Sequence, residues 1–495
     1  MAQLYTLGID IGTTGLKAVA LHRERGIVAH ATRPHELISS QAGWAEEDPE
    51  QWWTTTKESI RELLTSIPVQ EIAAIGVSGM VPALVLLDTS GQPIRPSIQQ
   101  NDARTIAEVA KLRADVDAAE FFAITGSTVN QQNIDPRWRW LQSHEPEHVQ
   151  RTSQICGSYD FITYRLTGVL SLEENWAAES ALYDVHAHQW HIPYLEHADI
   201  QPSLLPPVRL PSEVVGGISE GAAKQTGLRT GTPVVAGSAD HVAAALAAGL
   251  TQPGDLLLKF GGAGDILYCT DQPDPDPHFY FDYHDIPGMT MINGCMATSG
   301  SLVKWFATQL AEGQTLAALD SQAEAIPAGS DGVITLPYFL GEKTPIFDPA
   351  ARGVFAGVML HHTRAHLYRS VLEAVCYGFA QHLALLTQAG RPVRRVLAAD
   401  GGSRSTLWMQ IASDVMNHQV EVVTGEMASA QGAAFVAAMG VNLYQDWNEI
   451  KRFVTRGPVY QPRQEAMKRY RYGFELYKEL YARLQSFLPA LGRIQ

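Results

Sequence analysis

Leu7-Gly8-Ile9-Asp10-Ile11-Gly12-Thr13-Thr14-Gly15-Leu16-Lys17 is the stretch whose reading decides the fold. The apolar run 4–9 reads as a buried strand ending at a carboxylate, Asp10. Gly12, Thr13, Thr14 and Gly15 form a tight turn, and 18–21 return as a second apolar run, a strand–turn–strand hairpin. Backbone amides and two hydroxyls then stand beside one carboxylate. Amides and hydroxyls suit a polyphosphate, and a carboxylate beside them suits Mg²⁺. A glycine-rich hairpin with a cap-like Asp would look the same, so the stretch alone leaves both readings open. A dinucleotide turn is disfavoured, because its glycines would open a helix and these lead into a strand.

Outside that stretch, bulk properties narrow the class. A chain of 495 residues is too long for one core, and two domains are expected. Apolar content of 45% with 18% charged residues is that of an ordinary soluble protein. A net charge of −15 without a basic block argues against nucleic acid. Cys156, Cys269, Cys295 and Cys376 lack zinc or CxxC spacing and read as thiols in a reducing compartment. The N-terminus shows no signal pattern, and the apolar stretch 242–250 is too short to span a bilayer. A cytoplasmic protein with no membrane partner is expected.

Along the chain, 26–32 reads as a third strand and 51–66 as a helix, with Asp48 as N-cap and Pro49 at its first position. Strands are expected at 72–78 and 83–88, helix over 101–126 and from Pro136, and a strand at 231–238 running into Asp240 and a helix at 241–250. A second cycle starts at Leu256: strand 256–260, a turn of Gly261-Gly262-Ala263-Gly264-Asp265, and strand 266–269. It echoes the first hairpin and suggests a duplication with one nucleotide cleft between similar halves. Strands at 289–293 and 396–399 and helices at 299–311, 366–386 and 408–417 follow, with an amphipathic tail at 465–488.

Four loops share one pattern, a strand end followed by small residues and a polar group: 10–15, 236–241, 261–265 and 400–404. Ligands sit at the carboxyl ends of strands in open α/β sheets. Asp240 stands out, at the end of an apolar strand after Ala236-Gly237-Ser238-Ala239. A carboxylate there can accept a hydroxyl proton. It can equally cap the helix at 241–250, and the two roles are compatible.

At these residues the chain resembles the FGGY family of carbohydrate kinases, and within it the branch of xylulose and related pentulose kinases. The resemblance covers nearly the whole chain. It is carried by Gly8-Ile9-Asp10-Ile11-Gly12-Thr13-Thr14, by Gly43-Trp44-Ala45-Glu46-Glu47-Asp48-Pro49 with Trp52, and by Pro136-Arg137-Trp138-Arg139-Trp140-Leu141. It continues in Gly353-Val354-Phe355-Ala356-Gly357-Val358 with His366-Leu367, Ser370-Val371-Leu372 and Glu373. Leu336-Pro337-Tyr338, Gly341-Glu342-Lys343-Thr344-Pro345 and Asp348-Pro349 point to the pentulose branch, and Asp400-Gly401-Gly402-Ser403 with Trp408, Gln410 and Asp414 looks like an adenosine-binding segment.

The resemblance implies an α/β protein of two actin-like ATPase (ribonuclease H-like) domains, 1–247 on the sugar side and 248–495 on the adenine side, closing on ATP and a sugar. Its implied reaction is phosphorylation of a sugar hydroxyl, a pentulose such as D-xylulose giving the 5-phosphate. Asp240 would be the base and Asp10 the second catalytic carboxylate, and both are candidate Mg²⁺ ligands. Thr13, Thr14, Lys17, Gly261, Gly262, Gly401, Gly402 and Ser403 would hold ATP. Met80, Val81, Pro82, Asn101 and Asp102 would surround the sugar with Asp240. The sugar is the expected partner, and a homodimer the expected assembly if one forms.

Three departures bear on the sugar and the phosphates. Ser78-Gly79-Met80-Val81-Pro82-Ala83 stands where xylulose kinases carry Ser-Gly-Gln-Met-His-Gly, Gln100 replaces a Trp before Asn101-Asp102, and Gly262-Ala263 replace a Thr-Ser pair. Ribulose, erythritol or erythrulose, glycerol and gluconate are therefore rival substrates. A nucleotide-dependent binding protein with a weakened phosphate loop, or an actin-like polymer subunit, are rivals of another class. Retention of Asp10, Thr14 and Asp240 speaks against the first, and the second would not need Asp240 in a sugar cleft.

Overall fold

Strand Tyr5–Gly12 pairs antiparallel with Gly15–His22 and parallel with Ile72–Gly79. Strand Asp255–Phe260 repeats this arrangement, antiparallel to Gly264–Thr270 and parallel to Arg395–Ala399. In the computed structural model, which describes residues 3–425 and 427–492, these six strands nucleate two sheets of one design. The first runs Gly26–Pro34, Gly15–His22, Tyr5–Gly12, Ile72–Gly79, Pro233–Val235; the second runs Thr290–Met296, Gly264–Thr270, Asp255–Phe260, Arg395–Ala399, Val420–Thr424. The duplication suggested by the two hairpins is thus present in strand order and direction. Val214–Gly217 edges the first sheet, and Tyr280–Tyr283 and Thr455–Tyr460 edge the second.

Central strands are apolar on both faces because both faces are covered. Leu7, Ile9 and Ile11 join a core with Trp52, Trp53, Ile60 and Leu63 of helix Pro49–Leu63, whose start is fixed by Pro49 and by Asp48 accepting from Glu50 N at 2.9 Å. On the other face, helix Ala428–Gly440 of the second half lies directly on strands Tyr5–Gly12 and Ile72–Gly79. Gly8 and Gly76 make this possible: a Cβ at either would collide with the carbonyl oxygen of Ala430 or Ala433. Gly432 likewise lets the same helix meet Ala243 of helix Asp240–Ala247. The halves are joined by backbone-to-backbone packing on which the first hairpin sits.

Strands of the first sheet end at Ala239 and those of the second begin at Asp255, with helix Asp240–Ala247 between them, and the division at 247/248 remains a proposal. The outermost residues of that division, 1–2 and 493–495, lie outside the described residues. The segment 101–126 is two helices, Ile106–Asp115 and Ala118–Thr125, rather than one. Val116 is extended and Asp117 caps the second helix, accepting from Ala119 N at 3.0 Å and Glu120 N at 2.8 Å. Of 83–88, Val85–Leu87 forms a strand, paired outside the main sheet with Gln154–Cys156. The tail forms helix Gln464–Leu484, seated through buried Tyr470 and Tyr477, and the four cysteines are free. No helix among the described residues is long and apolar enough to cross a membrane.

Candidate active site

Asp10 stands near the end of its strand, in register with Lys17 on one side and Ser78 on the other. Ser78 Oγ donates to Asp10 Oδ1 at 3.0 Å. Burial, then the nearby Asp240 carboxylate, push the Asp10 carboxyl up to about 7, while Ser78, Lys17 and Lys259 pull the other way. That balance places residues of both halves within electrostatic reach of one carboxylate. Thr13 and Thr14 form the two-residue turn above it, between paired Gly12 and Gly15, with Thr14 and Lys17 exposed.

Asp240 reaches the same place from another strand. The expected strand 231–238 is broken into Pro233–Val235 and Ser238–Ala239 at Gly237, whose φ is 111° and where a Cβ would collide with Val77 O. Ser238 then lies in register with Ser78, which is itself in register with Asp10. Asp240 is the first residue of helix Asp240–Ala247 and not its cap, a position taken by Ala239. Its Oδ1 accepts from His241 N at 2.6 Å. The capping alternative is thereby corrected by one residue: the bend at Gly237 turns the carboxylate out of the strand end and leaves it about one-third exposed, at 36% of its side chain. A partly exposed carboxylate at a strand end is able to meet a substrate hydroxyl.

The two loops of the second half face these groups. Gly261 O accepts from Gly300 N at 2.7 Å, and Gly262 O from Ser299 N at 2.9 Å and Ser301 Oγ at 2.7 Å, so the start of helix Gly300–Leu310 pins the turn. Gly262 faces open space. Asp400 (φ 71°) turns the chain out of strand Arg395–Ala399, and Ser403 Oγ donates back to Asp400 O at 2.7 Å. Gly402 is fixed by Trp408 and Phe260, which leave no room for a Cβ. A cavity of about 340 Å³ opens here, bounded by Lys259, Asp400, Gly401, Ser403, Gln431 and Phe453. Its lining, apolar at Ala244, Leu257 and Val423 and polar at Lys259, Asp400 and Arg404, suits a flat heterocycle carrying phosphates.

Of the remaining expected residues, all but Asn101 lie deeper. Met80 and Val81 are buried, and Pro82 O accepts from the buried Arg137 guanidinium at 2.6 Å. Asn101 is exposed. Both Asp102 oxygens are engaged, Oδ2 by Ala45 N at 2.7 Å and Arg104 Nη2 at 2.8 Å, Oδ1 by Arg104 N at 3.0 Å and Nε at 2.9 Å. Arg104 in turn lies 3.8 Å from the Trp44 ring centroid. Asp102 therefore ties the Ala45 and Arg104 segments together and has both oxygens occupied in doing so.

Three polar residues escaped the sequence reading as site groups. His241 Nε2 is 3.0 Å from Asp282 Oδ2, and Glu179 joins them in one cluster. Burial lowers the His241 pKa, but Asp282, Asp240 and Glu179 outweigh it and hold the imidazole well above its usual value. Position next to Asp240 was a usable signal for His241. Asp282 and Glu179 carry none, since they arrive from distant segments.

Two matching sheets, a partly exposed carboxylate and a cavity of about 340 Å³ are an arrangement that suits a two-domain kinase for a small polar acceptor. Family models agree: residues 5–247 match the FGGY family of carbohydrate kinases, N-terminal domain, and 262–441 its C-terminal domain. A xylulose kinase of Escherichia coli strain K12 is 30% identical over 484 residues, covering 94% of this chain and 98% of that one. Among solved structures, xylulose kinase from Rhodospirillum rubrum superposes with a TM-score of 0.95 at 43% identity, covering 98% of this chain and 99% of that one. Gluconate kinase from Lactobacillus acidophilus gives 0.93 at 25% identity, with 99% of each chain covered. The chain belongs to the FGGY family of carbohydrate kinases, and it is a sugar kinase.

Proposed function

We propose that the enzyme transfers the γ-phosphate of ATP to a hydroxyl of a ketopentose, D-xylulose giving its 5-phosphate. The observation that carries the phosphate transfer is the approach of Asp240 and Asp10, from strand ends on either side of Ile72–Gly79, with Lys259 of the other half beside the 340 Å³ cavity. Asp240 takes the proton of the acceptor hydroxyl as its oxygen attacks the γ-phosphorus, and ADP leaves along the Gly401–Ser403 loop. Such transfer needs positioning and charge neutralisation more than covalent chemistry from the protein. Thr13 and Thr14 offer hydroxyls and amides to the transferred group.

Asp10 and Asp240 also fit a divalent cation, because Asp240 helps to raise the Asp10 carboxyl to about 7, a repulsion that a cation would relieve. Mg²⁺ held there with phosphate oxygens would offset the negative charge of the triphosphate. The names of the relatives support a pentulose. Val81 and Pro82, in place of a Met-His pair, offer the sugar no side-chain hydrogen bond, and a site without such a bond discriminates poorly. D-xylulose is therefore expected to be one of several substrates. ATP consumption against ketoses, polyols and aldonates tests this. Turnover with pentuloses and, more weakly, with tetritols is expected; turnover with gluconate or glycerol alone would overturn the assignment.

A further inference from the structure

The second hairpin lacks the hydroxyls that the first one has. Thr13 and Thr14 occupy the first turn, whereas Gly262 and Ala263 occupy the second. A charged group stands close by. Lys259 lies in strand Asp255–Phe260 on the same face as Leu257, and both border the cavity, which Ala399, Asp400, Gly401, Ser403 and a second cation, Arg404, also line. It is in register with Asp265 across the hairpin and with Ala399 on the neighbouring strand. Lys259 Nζ is 3.3 Å from Asp265 Oδ2, and about a quarter to a third of each side chain is exposed, 26% and 33%.

Lys259 also faces charges on both sides of the cleft. Asp265, Asp400 and Asp240 all act on it, and it acts on Asp10. A triphosphate entering this cavity brings further negative charge among four carboxylates. A compact ammonium is suited to offset it, since lysine binds phosphate as a point charge.

We propose that Lys259 is the phosphate-holding cation of the second hairpin, standing in for the hydroxyl donors absent at Gly262 and Ala263, and that it exchanges Asp265 for the β- and γ-phosphates when ATP binds. Asp265 then acts as a competitor for the ammonium that parks Lys259 in the empty cleft and recaptures it as ADP leaves. The inference rests on the reading of the cavity as an ATP site. A cross-strand ion pair serving only the hairpin is the bland alternative, and such exposed pairs contribute little to stability.

Calorimetric titration of the full-length protein with adenosine, ADP and ATP separates the two. Lys259→Met is expected to weaken ATP by about tenfold to a hundredfold, the usual worth of a hydrogen bond to a charged group, while leaving adenosine unchanged. Asp265→Asn is expected to tighten ATP and leave adenosine unchanged. A folded Lys259→Met that binds ATP like the parent, or that loses adenosine to the same extent, overturns the proposal. So does an Asp265→Asn variant that binds ATP more weakly, and this second variant decides the matter should Lys259→Met fail to melt cooperatively. A parent protein that binds neither adenosine nor ATP would instead overturn the reading of the cavity.

Discussion

The hairpins Tyr5–His22 and Asp255–Thr270 share strand order, direction and pairing, yet they present different chemistry at their turns. The first ends in Asp10 with two threonines above it; the second ends in bare Gly261-Gly262-Ala263, with Lys259 and Asp265 facing each other across the strands. The strand frame therefore fixes where a turn lies, and the residues at the strand end fix what it does. In the first half they bring a carboxylate, Asp10, within electrostatic reach of Asp240, the pair proposed above as the reacting centre. In the second they leave open space and a single ammonium, which suits the long polyphosphate of a nucleotide more than a transfer step. The asymmetry supports the proposal that the acceptor belongs to one half and the nucleotide to the other.

Several changes would break or sharpen that division. The largest effect is expected at Asp240. Asp240→Asn keeps size and a hydrogen-bonding oxygen but cannot take a proton, so phosphate transfer to the sugar should fall by about 10²–10⁴-fold while ATP and sugar binding persist. A single-turnover rate equal to the parent's would leave Asp240 structural. Next in size is Gly8→Ala, which tests whether the halves are held together through the first hairpin. Its Cβ would collide with Ala430 O, so a loss of roughly 3 kcal/mol or more is expected in denaturant melts, well above an ordinary exposed Gly→Ala change.

Asp10→Asn should give a smaller effect of definite sign. The folded-state pKa of Asp10 is about 7 against an ordinary 3.8, so the folded protein holds a proton that the unfolded chain has released. Stability from this group is lost as pH rises from about 4 to about 7 and stays lost above that. Asp10→Asn should therefore melt at a higher temperature than the parent at pH 8 without Mg²⁺, with the gap closing toward pH 4, while its transfer activity falls. An equal gap at both pH values would contradict the origin given for the shift. The smallest effect is expected at Gly262→Thr. The position faces open space and its φ is not in the left-handed region, so the variant should fold and gain a phosphate donor, tightening ATP severalfold in titrations. Weaker ATP binding by a folded variant would mean that bare glycine is required there.

Much of this site was legible because its parts sit where local pattern and function coincide. Asp10, Asp240 and Gly401-Gly402-Ser403 each follow an apolar run, and a polar residue at a strand end is visible without tertiary information. The break at Val116-Asp117 was hidden because the residues on either side form helices equally well; only the cap that Asp117 provides separates them. The exact start of helix Asp240–Ala247 was hidden for the opposite reason, since Asp makes a good cap and here the bend at Gly237 hands that position to Ala239. Asp282 and Glu179 could not be seen at all. Pairing along the second sheet and the fold of the 174–179 helix carry them to His241 from 41 and 62 positions away, and nothing local announces either. The seating of helix Ala428–Gly440 on the first sheet was equally invisible, because Gly8, Gly76 and Gly432 look like ordinary strand and helix glycines until their neighbours are known.

Rapid-quench mixing of the parent enzyme, ATP, Mg²⁺ and D-xylulose, with the phosphate followed by phosphorus NMR, tests the central claim most directly. The account predicts that one γ-phosphate per enzyme appears as a sugar 5-phosphate, with sugar-free hydrolysis far slower. Phosphate released to water at the same rate with and without the sugar, and no phosphorylated acceptor, would contradict it.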